Sequence, residues 1–389
     1  MTEVRGLIVS AWEERGRGAA ARRLLATGRL EDGRSFALLL PAPDPAAYVA
    51  APDGPRGLAA LSAQEAVLDA APWSDLAGEA LARLDLRKGS VEEAVRRLAT
   101  AGVAVRGLER ARASDALLAL GLTGPVEIRG EPTPGRRVDL VFVDPVLSPS
   151  TTAPPLAWLA LDIETDRAGT VTAASLAGPK GPGEVHFVGA RLSDAVVSHP
   201  TEKALLEAMA ERIRARDPDV ITGWNVIDFD CRVLADRCRA HRIRFDVGRT
   251  QGDLAVRARP GGRHTAEVPG RAVLDAMRLM RASGRKLDDF SLDGVAHAVL
   301  GEGKTVSLRG EAKLDELERL RREEPERFCA YCLRDSELVL EILAKTGLDV
   351  LTARRAALTG VSLDLAWTSI PAFERIYGTA LRARRVVPP

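Results

Sequence analysis

Three short segments place carboxylates where they could share a cation. In LALDIET an apolar run delivers Asp162 and Glu164 at i and i+2. The period of two of a strand puts both on one side, about 7 Å apart. In DVITGWNVIDFDC a buried strand ends at Trp224 and is followed by Asn225 and Asp230, with Phe229 able to anchor the intervening turn. In PERFCAYCLRDSELVLEIL, apolar residues at Phe328, Cys332, Leu338, Val339 and Leu343 mark a helix. Tyr331 and Asp335, at i and i+4, share one face of it. A phenol beside a carboxylate can hold a water that a cation on that carboxylate has polarised. Each segment alone also has a plain structural reading. The first is a strand running into a polar loop capped by Thr165. In the second, Asn225 and Asp230 cap a turn and a helix, with Asp228 solvated. The third is a helix surface of Arg334 and Glu337 with Tyr331 at the core edge.

The elements that must bring these groups together alternate short apolar strands with longer amphipathic helices, which predicts an α/β module over residues 156–348. LAWLALDIET, VTAASLAG, EVHFVGA and DVITGWN are expected as strands, with the helix TEKALLEAMAERIRARDP between the last two. A helix over 229–241, a turn-rich stretch, a strand at RAVLDA and helices over 291–300, 314–320 and 326–345 complete it. Residues 1–145 carry β-like runs (GLIVSAW, SFALLLP, VDLVFVD) around a helix-like centre over 59–118, which predicts a smaller α+β domain with no cluster of chemical groups. The Pro- and Ser/Thr-rich residues 146–155 read as a linker. The tail over 349–389 reads as mostly helical.

Composition bounds the rest. The 389 residues carry 55 basic and 54 acidic side chains, so the chain is no generic basic nucleic-acid tail, and 46% hydrophobic residues exclude disorder along its length. Seven of the basic residues are lysine and 48 arginine, and near-neutrality still permits a local positive groove. Four scattered cysteines do not make a disulfide scaffold, no apolar stretch reaches the length of a membrane span, and the N-terminus lacks a signal-peptide core. A cytoplasmic location is expected. Cys329 and Cys332 form a CxxC that Cys231 and Cys238 could complete as a zinc site, but both pairs lie in helices whose apolar faces need small buried residues. GEGK at 301–304 lacks the lead and context of a phosphate loop.

Together the three segments resemble the proofreading exonuclease domain of family B DNA polymerases, whose motifs are DxE, NxxxFD and YxxxD. Asp162 and Glu164 match the first, Asn225, Phe229 and Asp230 the second, Tyr331 and Asp335 the third. FSLDGVAHAVLGEGK resembles the stretch between the second and third motifs. Residues 1–145 resemble the amino-terminal domain of the bacterial polymerase II branch, and TSIPAFERIYGTALRARRVVPP its lead-in to the polymerase domain. The resemblance implies a ribonuclease H-like mixed sheet with flanking helices. The chain stops at Pro389, where the palm would begin, and contains nothing like DxxSLYPS or YGDTDS, so no nucleotide addition is expected from this chain alone.

The activity implied is 3′–5′ exonucleolytic hydrolysis of DNA at a single-stranded 3′ end, a role in replication and repair, with Mg²⁺ or Mn²⁺ as two ions about 3.5–4 Å apart. Hard oxygen ligands suit these ions better than zinc. By the same resemblance Asp162 bridges both ions, Glu164 and Asp335 hold the one carrying the attacking water, and Asp230 holds the other through water. Tyr331 orients the nucleophile, and Asn225 and Phe229 bind substrate. None of the five histidines lies just before Asp335, which points to the tyrosine subclass. Trp224, Phe229 and Tyr331 could stack on bases. Arg212, Arg214 and Arg216 read as solvated, with Arg382, Arg384 and Arg385 better placed for nucleic acid. A separate polymerase chain is a further partner the resemblance allows. The competing reading is a catalytically idle polymerase fragment that serves only as a DNA-binding or scaffold module, and RNA processing is a third.

Overall fold

The computed structural model describes residues 2–14, 22–87, 90–110, 113–301 and 310–388. Its central sheet has six strands in the order Val196–His199, Glu184–Val188, Val171–Ala177, Trp158–Thr165, Val220–Gly223, Ala272–Asp275. Trp158–Thr165, Val171–Ala177 and Glu184–Val188 form an antiparallel meander. Val220–Gly223 returns parallel to Trp158–Thr165, and Ala272–Asp275 adds parallel beyond it. The sheet is therefore mixed, with helices on both faces.

Alternation along Trp158–Thr165 decides which side the acids take. Leu159, Leu161 and Ile163 pack with helices Glu202–Arg216 and Asp230–Ala240. Ala160 faces the other layer, among Leu338, Val339 and Ile342 of helix Pro325–Thr346. Asp162 and Glu164 continue the even positions and so point toward that long helix. Local chemistry fixes the helix ends. Thr201 caps Glu202–Arg216 by accepting from the Ala204 amide, and the helix stops at left-handed Asp217 before Pro218. Pro325 sits in the first turn of the long helix, and Gly347 closes it in the left-handed region.

The expected strands of the α/β module are present, and the expected helices correspond to Glu202–Arg216, Asp230–Ala240, Leu292–Leu300, Gly310–Glu323 and Pro325–Thr346. Three further elements occupy stretches that patterning leaves irregular: the strand Val196–His199, the hairpin Ala255–Arg259/Arg263–Glu267, and the helix Ala276–Ala282. The first two are too short to establish a period. The phosphate-loop look-alike runs into residues 302–304, which lie outside the described residues.

The amino-terminal region differs more from expectation. Its centre is not mainly helical: Ala66–Ser74, Ala80–Leu86 and Val105–Glu109 are strands, forming with Ala46–Ala50 a four-stranded sheet. Alanine permits either state, and cross-strand pairing with burial of Ala66, Leu84 and Leu86 decides it. A seven-stranded sheet accompanies it, and its edge strand Val146–Pro149 lies inside the expected linker, paired with Pro125–Gly130. Prolines are tolerated there because an edge strand leaves one side unpaired.

The amino-terminal region docks on the α/β module through buried polar groups. Arg29 Nε donates to Asp219 at 2.9 Å and its Nη2 to the Asp217 carbonyl at 2.6 Å, while within the α/β module Arg249 and Arg271 donate to Asp217 at 2.9 and 2.8 Å. Thr27 Oγ1 donates to the Gly270 carbonyl at 2.9 Å. Among the described residues no helix is long and apolar enough to cross a membrane.

Candidate active site

The strand Trp158–Thr165 and the helix Pro325–Thr346 build the site between them. Register holds the two together: Asp162 pairs with Ser175 on the neighbouring strand, and Ser175 Oγ reaches the Cys332 carbonyl at 2.8 Å and Ser336 Oγ at 2.7 Å. Those bonds pin the helix turn that carries Tyr331 and Asp335 over the even face of the strand. As a result Asp162, Glu164 and Asp335 each offer an oxygen within 4.8 Å of the others.

Asp230 approaches from the other side of the same strand. The parallel ladder to Val220–Gly223 ends at Ala160–Thr222. Beyond it the Ile163 amide, between the two acids of the first motif, donates to Asp230 Oδ1 at 3.0 Å. Asp230 is buried and lies outside the group of three oxygens. Burial pushes its carboxyl up to about 8, and the charges of Glu164 and Asp275 add to the shift. Burial likewise pushes the Tyr331 phenol far above its ordinary value, reinforced by Asp335, Glu164 and Asp162, with a hydrogen bond to Asp335. Tyr331 is thus a protonated donor near neutral pH.

Three carboxylates this close repel one another by on the order of 3 kcal/mol per pair at an effective dielectric of about 20. A divalent cation would offset that repulsion, and a set made only of carboxylate oxygens suits a hard ion. The residues fit a Mg²⁺- or Mn²⁺-class ion on donor chemistry and on spacing.

The substrate-side residues divide. Asn225 adopts a left-handed backbone with φ 62°, and its carbonyl accepts from the Phe229 amide at 3.1 Å. Phe229 does not anchor the turn: its side chain is 38% exposed, while Val226 and Ile227 supply the buried contacts. Trp224 is partly buried, packing against the core while its Nε1 donates to the Phe290 carbonyl at 3.0 Å. Tyr331 is buried, which leaves Phe229 as the exposed ring of the three. Asp228 is ion-paired with Arg278 at 2.6 Å and bonded to His264 Nδ1 at 2.9 Å, so it is not simply solvated.

The arginines expected on the surface are largely committed. Arg216 is buried, donates to the Pro182 carbonyl and pairs with Glu184, which also accepts from Arg212. Arg214 donates to the Asp246 carbonyl, and Arg382 pairs with Glu109 at 2.6 Å. The four cysteines are buried in two different cores, Cys231 and Cys238 in one, Cys329 and Cys332 in another, and burial raises every thiol. The Cys332 thiol donates weakly to Asp162 Oδ2 at 3.8 Å. Two cavities of about 620 and 630 Å³ lie elsewhere, along strand Thr2–Glu14 and beside helix Ser369–Ala383, and none of the acids lines them. Sequence reasoning passed over Asp275, a buried carboxylate whose charge is felt at Asp230; the acid ending RAVLDA was its signal.

Residues 185–295 match the family described as DNA polymerase family B, exonuclease domain. The chain is homologous to the family B DNA polymerases. It is 32% identical to DNA polymerase II of Escherichia coli over 268 residues, covering 66% of this chain and 33% of that protein. It is 32% identical to the DNA polymerase delta catalytic subunit of Mesocricetus auratus over 179 residues, 43% of this chain and 16% of that protein. The chain thus spans a third or less of the length of these relatives. In fold it resembles the family B DNA polymerase of Pyrobaculum calidifontis, with a TM-score of 0.74 at 18% identity over 99% of this chain and 51% of that one. The stretch of the α/β module over 185–295 is thus similar to the family B exonuclease domain, and the mixed α/β fold matches that of a family B polymerase.

Proposed function

We propose that this chain is a metal-dependent 3′–5′ exonuclease that removes nucleotides from single-stranded DNA 3′ ends, as the proofreading part of a family B polymerase. The observation that carries the reading is the convergence of Asp162, Glu164 and Asp335 within 4.8 Å. Asp162, Glu164 and Asp335 would hold one Mg²⁺ or Mn²⁺, and Asp162 with Asp230 a second. Such ions supply a nucleophilic hydroxide at neutral pH and charge stabilisation for the leaving oxyanion.

The protein's own groups then have separable tasks. Tyr331, kept protonated by burial and by the acids around it, donates a hydrogen bond and orients the attacking water. Phe229, with its exposed ring, stacks on the terminal base, and Asn225 shapes the same end of the substrate. A division that counts the strand Val146–Pro149 with the amino-terminal domain and takes 156–348 as the exonuclease domain, and the cytoplasmic setting, belong to the same proposal. A polymerase chain acting on the same DNA is the partner it implies.

The test is a 5′-labelled single strand incubated with Mg²⁺ or Mn²⁺. Stepwise shortening by the native protein, abolished in Asp162→Ala with the fold retained, is expected. A fully active Asp162→Ala refutes the assignment. A native protein that binds the strand without shortening it supports the idle-fragment reading instead.

A further inference from the structure

We propose that Asp275 is a positioning residue for this hydrolysis, acting through the turn that delivers Asp230; the inference rests on the nuclease reading. Asp275 ends the strand Ala272–Asp275 and pairs with Gly223, so it stands level with the point where the adjacent strand gives way to residues 224–229. Its side chain is buried. One role is ordinary: it caps helix Ala276–Ala282 by accepting from the Arg278 amide at 3.2 Å. That role does not account for its other contacts. The Ile227 amide donates to Asp275 Oδ2 at 3.4 Å, and the Asn225 amide helps to hold the carboxyl below where burial alone would put it.

The turn therefore rests on an acid borne by the next strand. Asn225 sits in the left-handed region, which asparagine tolerates better than other residues with a side chain. Downstream, the Cys231 amide bonds the Val226 carbonyl at 2.8 Å, which ties the start of helix Asp230–Ala240 to the clamped turn. Asp230 in turn meets the Ile163 amide between Asp162 and Glu164. The chain of contacts runs from Asp275 to the turn, to Asp230, to the strand that carries the first motif.

Asparagine caps helices as well as aspartate does. As a carboxamide at 275, however, it has a single acceptor oxygen, and its NH₂ would face either the turn amides or the Arg278 amide. With its oxygen on the Arg278 amide, as in an ordinary asparagine cap, Asp275→Asn turns its NH₂ toward the turn amides and separates the two roles. Expected is a fall in kcat of about tenfold or more for removal of the terminal nucleotide, with KM for the DNA little changed, since displacing a catalytic group by about 1 Å can cost about 10²-fold. Hydrogen exchange gives a readout independent of activity: the Asn225 and Ile227 amides are protected in the native protein and lose protection in the variant, while the Arg278 amide keeps it. Unchanged kcat with unchanged protection in Asp275→Asn overturns the proposal and leaves a helix cap. Should the variant not fold, native exchange still decides, because Asn225 and Ile227 amides exchanging as fast as unstructured peptide overturn it and protected ones support it. A native protein without hydrolysis fails the nuclease reading, whereas an active native protein with an equally active variant fails this one.

Discussion

Phe229 and Tyr331 are both aromatic and both sit in motifs with acids, yet burial gives them opposite tasks. The exposed ring of Phe229 can meet a base, while Tyr331, 2% exposed, can act only through its hydroxyl. Phe229→Ala should weaken binding of a short single strand about tenfold, since a stacked base is worth about 1–3 kcal/mol. Fluorescence anisotropy with Ca²⁺ in place of Mg²⁺ reads this, and unaltered affinity would remove Phe229 from the substrate path. Tyr331→Phe should keep the fold and lower the hydrolysis rate without changing strand affinity, and a variant as fast as the native protein would exclude the orienting role. At this scale the pairs Asp162/Glu164 and Tyr331/Asp335 were legible, because the periods of strand and helix fix which side chains share a face. The commitments of Trp224 and Arg216 were not, since their partners lie 66 and 34 residues away and no local pattern announces them.

Between the strands, the spacing of the site depends on backbone contact. A Cβ on Gly223 would stand 2.5 Å from the Leu161 carbonyl of the first-motif strand and 3.0 Å from Val226. Gly223→Ala should therefore push the two strands apart, lower the melting temperature and reduce hydrolysis together, because backbone cannot give way as a flexible side chain can. Retained stability and activity in that variant would mean the strand spacing is not critical. The order of strands and helices in the α/β module was readable from alternating runs and from Thr, Pro and Gly at helix ends. The amino-terminal sheets were not. Their alanines leave local preference nearly silent, and the strand identity of Ala66–Ser74 and Ala80–Leu86 comes from pairing with each other and with Ala46–Ala50.

Across the whole molecule, the junction between the amino-terminal region and the α/β module rests on Arg29, Arg249 and Arg271 around Asp217 and Asp219, all buried. Burial alone would raise the Asp217 carboxyl, but the guanidinium of Arg249, followed by those of Arg271 and Arg29, holds it down to about 2. A carboxyl depressed in the folded state contributes stability above its ordinary value near 3.8 and loses it as pH falls toward 2. The contribution is on the order of 2 kcal/mol. The native melting temperature should therefore fall more steeply between about pH 4 and 2 than that of Asp217→Asn. Parallel slopes would deny the junction this role. Arg29→Met should destabilise by about 1.5–3 kcal/mol, because it removes the charged hydrogen bond to Asp219 across the junction while Arg249 still pairs with that carboxylate at 2.7 Å. Denaturant unfolding measures that loss, and a change below about 1 kcal/mol would mean the junction is solvated.

The central claim is that acids from distant parts of the chain assemble around divalent cations. Its most direct test is anomalous scattering at the manganese edge from crystals soaked in Mn²⁺. The account predicts a peak within ligand distance of Asp162, Glu164 and Asp335 that vanishes in Asp162→Ala. Well-ordered carboxylates with no peak among them at saturating Mn²⁺ would contradict it.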